Sequence, residues 1–591
     1  MITTHQLPEG AFAALASGGS DPAVVRDLRE AQRSKHLMLL HVIAAGTSGI
    51  DSGSADVAAF QVGYRLLAAV QRADPDSLAW IFRLPHIGAW AHDCLASMDQ
   101  HLPPDFGYLA AVGAAAAVRA GVQFELDVPV RQGKILLPGL GYFHGVGRDS
   151  WVRLRSDGAR LTVGALTEAP CAALRPDDGP GEPIPHWQGT QQARAVANGR
   201  TWTVLLETAD HYLNRFAVPM SAPLTGDEVA NWRACIQSAW EVLVPHHSWA
   251  ADPLAEGVSV LVPLRAPSDT DLDSATAPTA FGAIATSLPP GPVVMAETLV
   301  HEFQHVKLGG LQDMMPLTKP CRERVYAPWR PDPRPVGGLL QGVYAHLGIA
   351  RFWGAQRQVE TEPDDILRAQ VRFARWRSMI ELATATLLRL DCLTPDGTRF
   401  VTMLRDEGAR LEFEAIPAVA RTIASDVSLD HWLTWQLRHV TIGAAAAAGL
   451  AATYQRGEPL AGRALPEARI EEEKRKVDFT ARSRLLHMRF LDPYRYRELG
   501  DAGMPGLSEA DHFLVNGRAS LAVQAYRDEI LAASEPLPHL WVGLALGIHL
   551  LAQTPLLSAF TIRLPLMFDV YAYLFWQGIR SDPLELAAWL A

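Results

Sequence analysis

The chain has 591 residues, 48% apolar and 20% charged, the balance of an ordinary globular protein. That length exceeds what one hydrophobic core usually holds, so two to four domains or one multi-layer body is expected. A formal net charge of −11 offers no basic face and argues against a nucleic-acid partner. Residues 1–120 read mostly as helix. "DPAVVRDLREAQRSKHLMLLHVIAA" has a candidate cap at Asp21 and apolar residues at helical spacing, and "GYLAAVGAAAAVRAG" is alanine-rich and ends at Gly121. Residues 121–290 read as β-rich. "VQFELDVPV" and "GKILLPGL" have strand lengths, and "WVRLRSDGARLTV" is a hairpin turning at Ser156-Asp157-Gly158. After the loop "LRPDDGPGEPIPHW", "RTWTVLLE" reads as a strand, "DEVANWRACIQSAWEVL" as an amphipathic helix and "GVSVLVPL" as a buried strand.

A polar loop, "RAPSDTDLDSATAPT", leads to the strand "AFGAIATSL" and then to a helix. That helix is expected to start after Pro289-Pro290 and Pro292 and to stop at Gly309-Gly310. It contains His301-Glu302-Phe303-Gln304-His305, an HExxH pattern. Positions i and i+4 share a helix face, so the two imidazoles can converge on one ion. Glu302 lies about 100° further round, within reach of a metal-bound water. The motif sits inside an apolar-periodic helix directly after an apolar strand, as zincin-like sites do to hold an extended peptide. The fold class expected is α+β, mostly helical. A zincin-like HExxH helix packs beside a β-sheet, the N-terminal half is β-rich and the C-terminal region is helical.

Residues 291–400 are grouped as the metal-site core and 401–591 as a helical C-terminal region. The third ligand expected is His346, in the next helix, "GVYAHLGIARFW", ahead of Glu323, Asp313 or Asp332. A peptidase of the commonest two-helix type supplies a glutamate there, and none is present. Between the helices, "YAPWRPDPRP" puts Arg330 and Arg334 on a proline-stiffened backbone. Two such guanidiniums suit bidentate capture of a carboxylate, or they form a structural turn with Asp332.

Other signals are weaker. Cys94, Cys171, Cys235, Cys321 and Cys392 are odd in number and widely spaced, with no CxxC pair. Neither a cysteine zinc site nor an iron–sulfur cluster is indicated, and a reducing compartment fits best. "MITTHQLPEGAFAAL" lacks the pattern of a secretion signal, and "LWVGLALGIHLLA" is too short to span a bilayer. A cytoplasmic protein with no membrane partner is expected. "GLGYFHG" reads as a turn rather than a dinucleotide site, and His211 and Tyr212 as a satisfied structural pair. Trp432 and Trp435 read as core or groove walls, and "EARIEEEKRK" as a solvated helix face.

Three stretches, "LVHEFQHVKLGGLQDMMPL", "YAPWRPDPRPVGGLLQGVYAHLGIARFW" and "HWLTWQLRHV", carry a resemblance. Here the chain resembles the HExxH-containing peptide-maturation proteins of actinobacterial ribosomal-peptide gene clusters. The best match spans about residues 280–360. Some relatives carry this domain behind a radical-SAM domain; this chain has no cluster-binding cysteines and would be a free-standing form. The resemblance implies an iron(II)- and 2-oxoglutarate-dependent peptide β-hydroxylase acting with O2 on a precursor peptide. His301, His305 and His346 would hold iron and Arg330 or Arg334 the cosubstrate. Glu302, the catalytic base of a peptidase, would order hydrogen bonds behind the ligands or occupy a ligand position. The alternative is a zinc metallopeptidase acting on a precursor or leader peptide, with Zn(II) and Glu302 as general base.

Overall fold

The computed structural model describes residues 5–47, 54–145, 147, 151–176, 183–216, 218–265, 272–460, 464–472, 475, 480–499, 504–551 and 556–591. Parts of two expected loops, 177–182 and 266–271, lie outside the described residues, as do 473–474 and 476–479 of the charged stretch. Helix makes up 60% of the protein and strand 12%, which bears out a mostly helical α+β class. The chain forms two compact units, Met1–Pro316 and Leu317–Ala591. The boundary falls inside the 291–400 grouping, so the HExxH helix belongs to the first unit and the proline-rich segment to the second.

The first unit opens with six helices between Glu9 and Ala120, and Asp21 does accept the Ala23 amide at 2.7 Å where the second begins. The last of them, Tyr108–Ala120, is buried almost all round, as a helix apolar on every face must be. The chain then builds small sheets. Phe124–Pro129, Trp151–Ser156, Arg160–Val163 and Thr167–Pro170 form an antiparallel meander, with the expected hairpin closing where Ser156 faces Leu161. "GLGYFHG" is a turn followed by the strand Gly141–His144.

The sheet that positions the HExxH helix has five strands. Their order is Ser274–Ala275, Ala283–Thr286, Val260–Pro263, Arg200–Leu206 and Gln191–Ala197. The three central strands are parallel and both outer ones antiparallel. The strand of "AFGAIATSL" is therefore interior, and the edge beside it comes from the segment read as a polar loop. Its two residues carry too little alternation to read as a strand. The HExxH helix runs Pro292–Met314, past the glycine pair expected to stop it. Gly310 lies within it because a Cβ there would meet the Phe281 ring at 2.8 Å. This glycine serves close packing and not a helix end.

The second unit is helical, as expected beyond residue 360, with its own core around Trp541, Tyr571 and Phe568. The proline-rich segment carries a two-strand ribbon, Arg324–Val325 against Arg334–Pro335. The charged stretch read as a helix face is instead, at Arg469–Ile470, a strand against Val440–Thr441. No helix among the described residues is long and apolar enough to cross a membrane. A disulfide joins Cys321 to Cys392, 71 residues apart, while Cys94, Cys171 and Cys235 are free. The cysteine spacing, read for a reducing compartment, did not foresee this bond. Chain pairing brings the two together, since Lys319 donates to the Cys392 carbonyl at 2.8 Å. Thiol titration of the denatured, unreduced protein should count three thiols, rising to five on reduction. Five without reduction would show the bond absent.

Candidate metal centre

The HExxH helix is fixed on its far face by buried polar contacts. Gln304 donates to the Gly18 carbonyl at 3.0 Å, and the Lys307 ammonium caps the same carbonyl at 3.2 Å. These bonds leave His301 and His305 on the partly exposed side, with the His301 side chain 23% accessible. Their Nε2 atoms are 3.3 Å apart and their rings nearly perpendicular, at 80°. Two nitrogens each about 2.1 Å from one ion, in tetrahedral array, stand roughly 3.4 Å apart. The pair is thus spaced as a chelate, although a single shared proton accounts for the same distance. Imidazole is a common ligand of zinc and iron(II), and the pair supplies two of the at least three protein ligands such an ion takes.

Glu302 points away from solvent, 2% exposed. Its Oε1 accepts the Ser274 hydroxyl at 2.7 Å and lies 3.9 Å from His301 Nε2. Ser274 belongs to the edge strand, so this bond fastens that strand to the helix that carries the histidines. Burial pushes the Glu302 carboxyl above its ordinary value, with His305 and the Ser274 and Thr276 hydroxyls opposing. Sequence reasoning missed Ser274 because nothing local marks a serine in a polar loop as a strand residue facing a glutamate. It also passed over Glu297, a buried carboxylate one helical turn before His301. The spacing 297, 301, 305 places all three on one side of the helix and was the signal available.

His346, Arg330 and Arg334 belong to the second unit. His346 is 5% exposed, and its Nδ1 lies 2.8 Å from the Gly342 carbonyl. A backbone bond of this kind orients a metal-binding Nε2, and it equally satisfies a core histidine. The imidazole stacks on Trp329, with centroids 4.4 Å apart at 18°, and meets Trp376 at 4.6 Å. Gly342 makes room for this, since a Cβ there would stand 2.3 Å from the Trp329 ring. Arg330 and Arg334 share Asp332, at 3.0 and 3.1 Å. Burial opposes ionisation of Asp332, but Arg334 and Arg330 outweigh it and hold the carboxyl below its ordinary value. The structural-turn reading of these arginines is therefore present. The loop is tied down by Tyr326 to His431 Nδ1 at 2.7 Å and by His439 Nε2 to the Pro331 carbonyl at 2.7 Å.

Among the described residues no group of three or more His, Cys, Asp or Glu side chains is placed to hold a metal ion. The structure brings together His301, His305 and Glu302, and within the second unit Arg330 and Arg334 around Asp332. The other carboxylates weighed as ligands are otherwise placed: Asp313 accepts Gln32 and Lys35, both at 2.8 Å, and Glu323 is exposed. No protein-family model matches the chain, and no curated protein does. Tyr212 is the satisfied residue expected, its hydroxyl donating to Asp105 at 2.9 Å.

Proposed function

We propose that the His301–His305 pair holds iron(II) and that the protein hydroxylates a side-chain β-carbon of a ribosomally made precursor peptide. The family resemblance supports this reading, and so does the setting of Glu302. The carboxylate is buried and engaged by Ser274, which suits a group that positions neighbours better than one that receives water from bulk solvent. Bound iron with 2-oxoglutarate supplies oxidation of a C–H bond by O2, giving hydroxylated peptide, succinate and CO2. The residues of the first unit contribute position. Ser274 and Glu302 set the edge strand relative to the histidines, and among the described residues no strand pairs that strand's outer side, which leaves main-chain groups for an extended peptide. His346 as third ligand and Arg330 or Arg334 as cosubstrate residues are carried on the resemblance alone. Each guanidinium has five N–H donors, so the bond to Asp332 leaves others for a carboxylate.

The zinc-peptidase reading is favoured by one distance. Glu302 Oε1 stands 3.9 Å from His301 Nε2, near enough to hydrogen-bond a water held by the histidines' metal. Protein supplied with Fe(II), 2-oxoglutarate, O2 and a peptide library separates the two. Succinate release with peptides heavier by one oxygen atom supports the hydroxylase. Peptide cleavage with Zn(II) alone supports the peptidase.

A further inference from the structure

The second unit carries a half-open cavity of about 590 Å³, walled in part by the Trp329 and Trp376 rings that pack against His346. Its size is in the range of small-molecule sites, about 300–1,000 Å³. Arg375, on the helix Pro363–Arg389, lies in its wall and is only 4% exposed. Its guanidinium touches the rings of Phe490 and Trp376, at 4.5 and 5.0 Å, and has no carboxylate partner among the described residues. A comparably buried cation nearby is treated differently, since Arg482 pairs with both Asp430 and Asp511 at 3.3 Å. Buried charges are normally paired, and ring contacts offset only part of the cost.

The unsatisfied atoms around the cavity point the same way. Arg375 Nε, Trp376 Nε1 and Trp435 Nε1 are buried without a hydrogen-bond acceptor. All three are donors, and the one carboxylate in the lining, Asp430, is already bound by Arg482. The charge of Arg375 is thus left for an anion in the space to meet. His431 and His487 in the lining are held neutral, pushed down to about 3 and about 4 by burial and then by Arg375. The remaining wall is aromatic and aliphatic, including Trp329, Phe490 and Leu486.

We infer that this cavity binds an organic carboxylate with an aromatic body, its carboxylate on the terminal nitrogens of Arg375 and its ring among the tryptophans. The ligand is either a free aryl acid or the C-terminal aromatic residue of a peptide, which share this chemistry. Phenylacetate and the dipeptide Ala-Phe, each beside its amide, are the probes, read by tryptophan fluorescence and thermal shift on the full chain. At least one acid should bind saturably at millimolar concentration or below, and its amide at least about tenfold more weakly. The tighter acid tells which source the site prefers. Arg375→Met should weaken the acid at least about tenfold while raising the melting temperature of the ligand-free protein, because it removes an unpaired buried charge. Trp435→Ala, which removes a ring from the wall, should weaken acid and amide alike. Equal binding of acids and amides, no saturable binding of either acid, or an Arg375→Met protein that melts lower and binds as before would each overturn the inference.

Discussion

On the proposed reading, His301→Ala is expected to abolish divalent-metal binding. His301 and His305 form the only pair at the motif with chelating separation, 3.3 Å between Nε2 atoms among the described residues. Loss of either leaves a single imidazole from that helix. Removing groups that merely orient ligands commonly weakens metal binding by about 10–100-fold, so removing a ligand should exceed that range. Ser274→Ala gives the graded comparison. It deletes the hydroxyl on Glu302 and should weaken metal by about 10–100-fold. Metal content after equilibration with a chelator of known affinity reads both. His301 is partly exposed, so its variant should melt close to the parent, and metal loss would not reflect unfolding. An His301→Ala protein that keeps its metal would remove the motif from the chemistry.

The largest stability effect is expected elsewhere in the first unit. His86 and Glu207 form an ion pair with side chains 0% and 4% exposed, 3.2 Å apart. Glu207 also accepts the Ala209 and Asp210 amides, and Asp210 accepts Tyr108 at 2.6 Å. Removing one partner of a buried pair leaves an uncompensated charge and costs about 3–5 kcal/mol. His86→Leu should therefore cost that much in denaturant unfolding at pH 6, with Glu207 stranded. The pH dependence has a definite sign. Burial works against a charged His86, but the Glu207 hydrogen bond and the charges of Asp210 and Glu207 outweigh it and raise its pKa. Its contribution is complete below its unfolded value of 6.5 and is lost as pH rises through the folded value. Burial likewise opposes ionisation of Glu207, yet the His86 bond and charge and two backbone amides lower its pKa. Its contribution is present above 4.5 and is lost as pH falls through the folded value. The pair is thus fully effective between about pH 4.5 and 6.5. The penalty of His86→Leu should shrink as pH rises above that window, and a penalty independent of pH would contradict the ion pair.

Local pattern carried much of the fold. The HExxH helix, the Ser156-Asp157-Gly158 hairpin and the buried strand Val260–Pro263 stand where alternation and helical spacing put them. What escaped depends on contacts distant in sequence. Gly310 resembles a helix stop in the sequence, yet it lies inside the helix to admit Phe281. The edge strand is two residues long and is held by a partner strand and by Glu302. Cys321 and Cys392 meet only because chain segments 71 residues apart run together. Of the candidate site, the His301–His305 pair was legible because one helix supplies both. The sharing of Asp332 by Arg330 and Arg334 was legible only as an alternative. Arg375 was not legible at all: on its helix it reads as one polar residue among several, and burial without an acid is decided by tertiary packing.

Turnover under isotopically heavy O2 tests the peptide-hydroxylase reading most directly. With Fe(II), 2-oxoglutarate and a peptide library, one heavy oxygen should enter the peptide and one the succinate, with the peptide chain intact. Cleaved peptide carrying oxygen from water, with no succinate formed, would contradict it and make Glu302 the base of a peptidase.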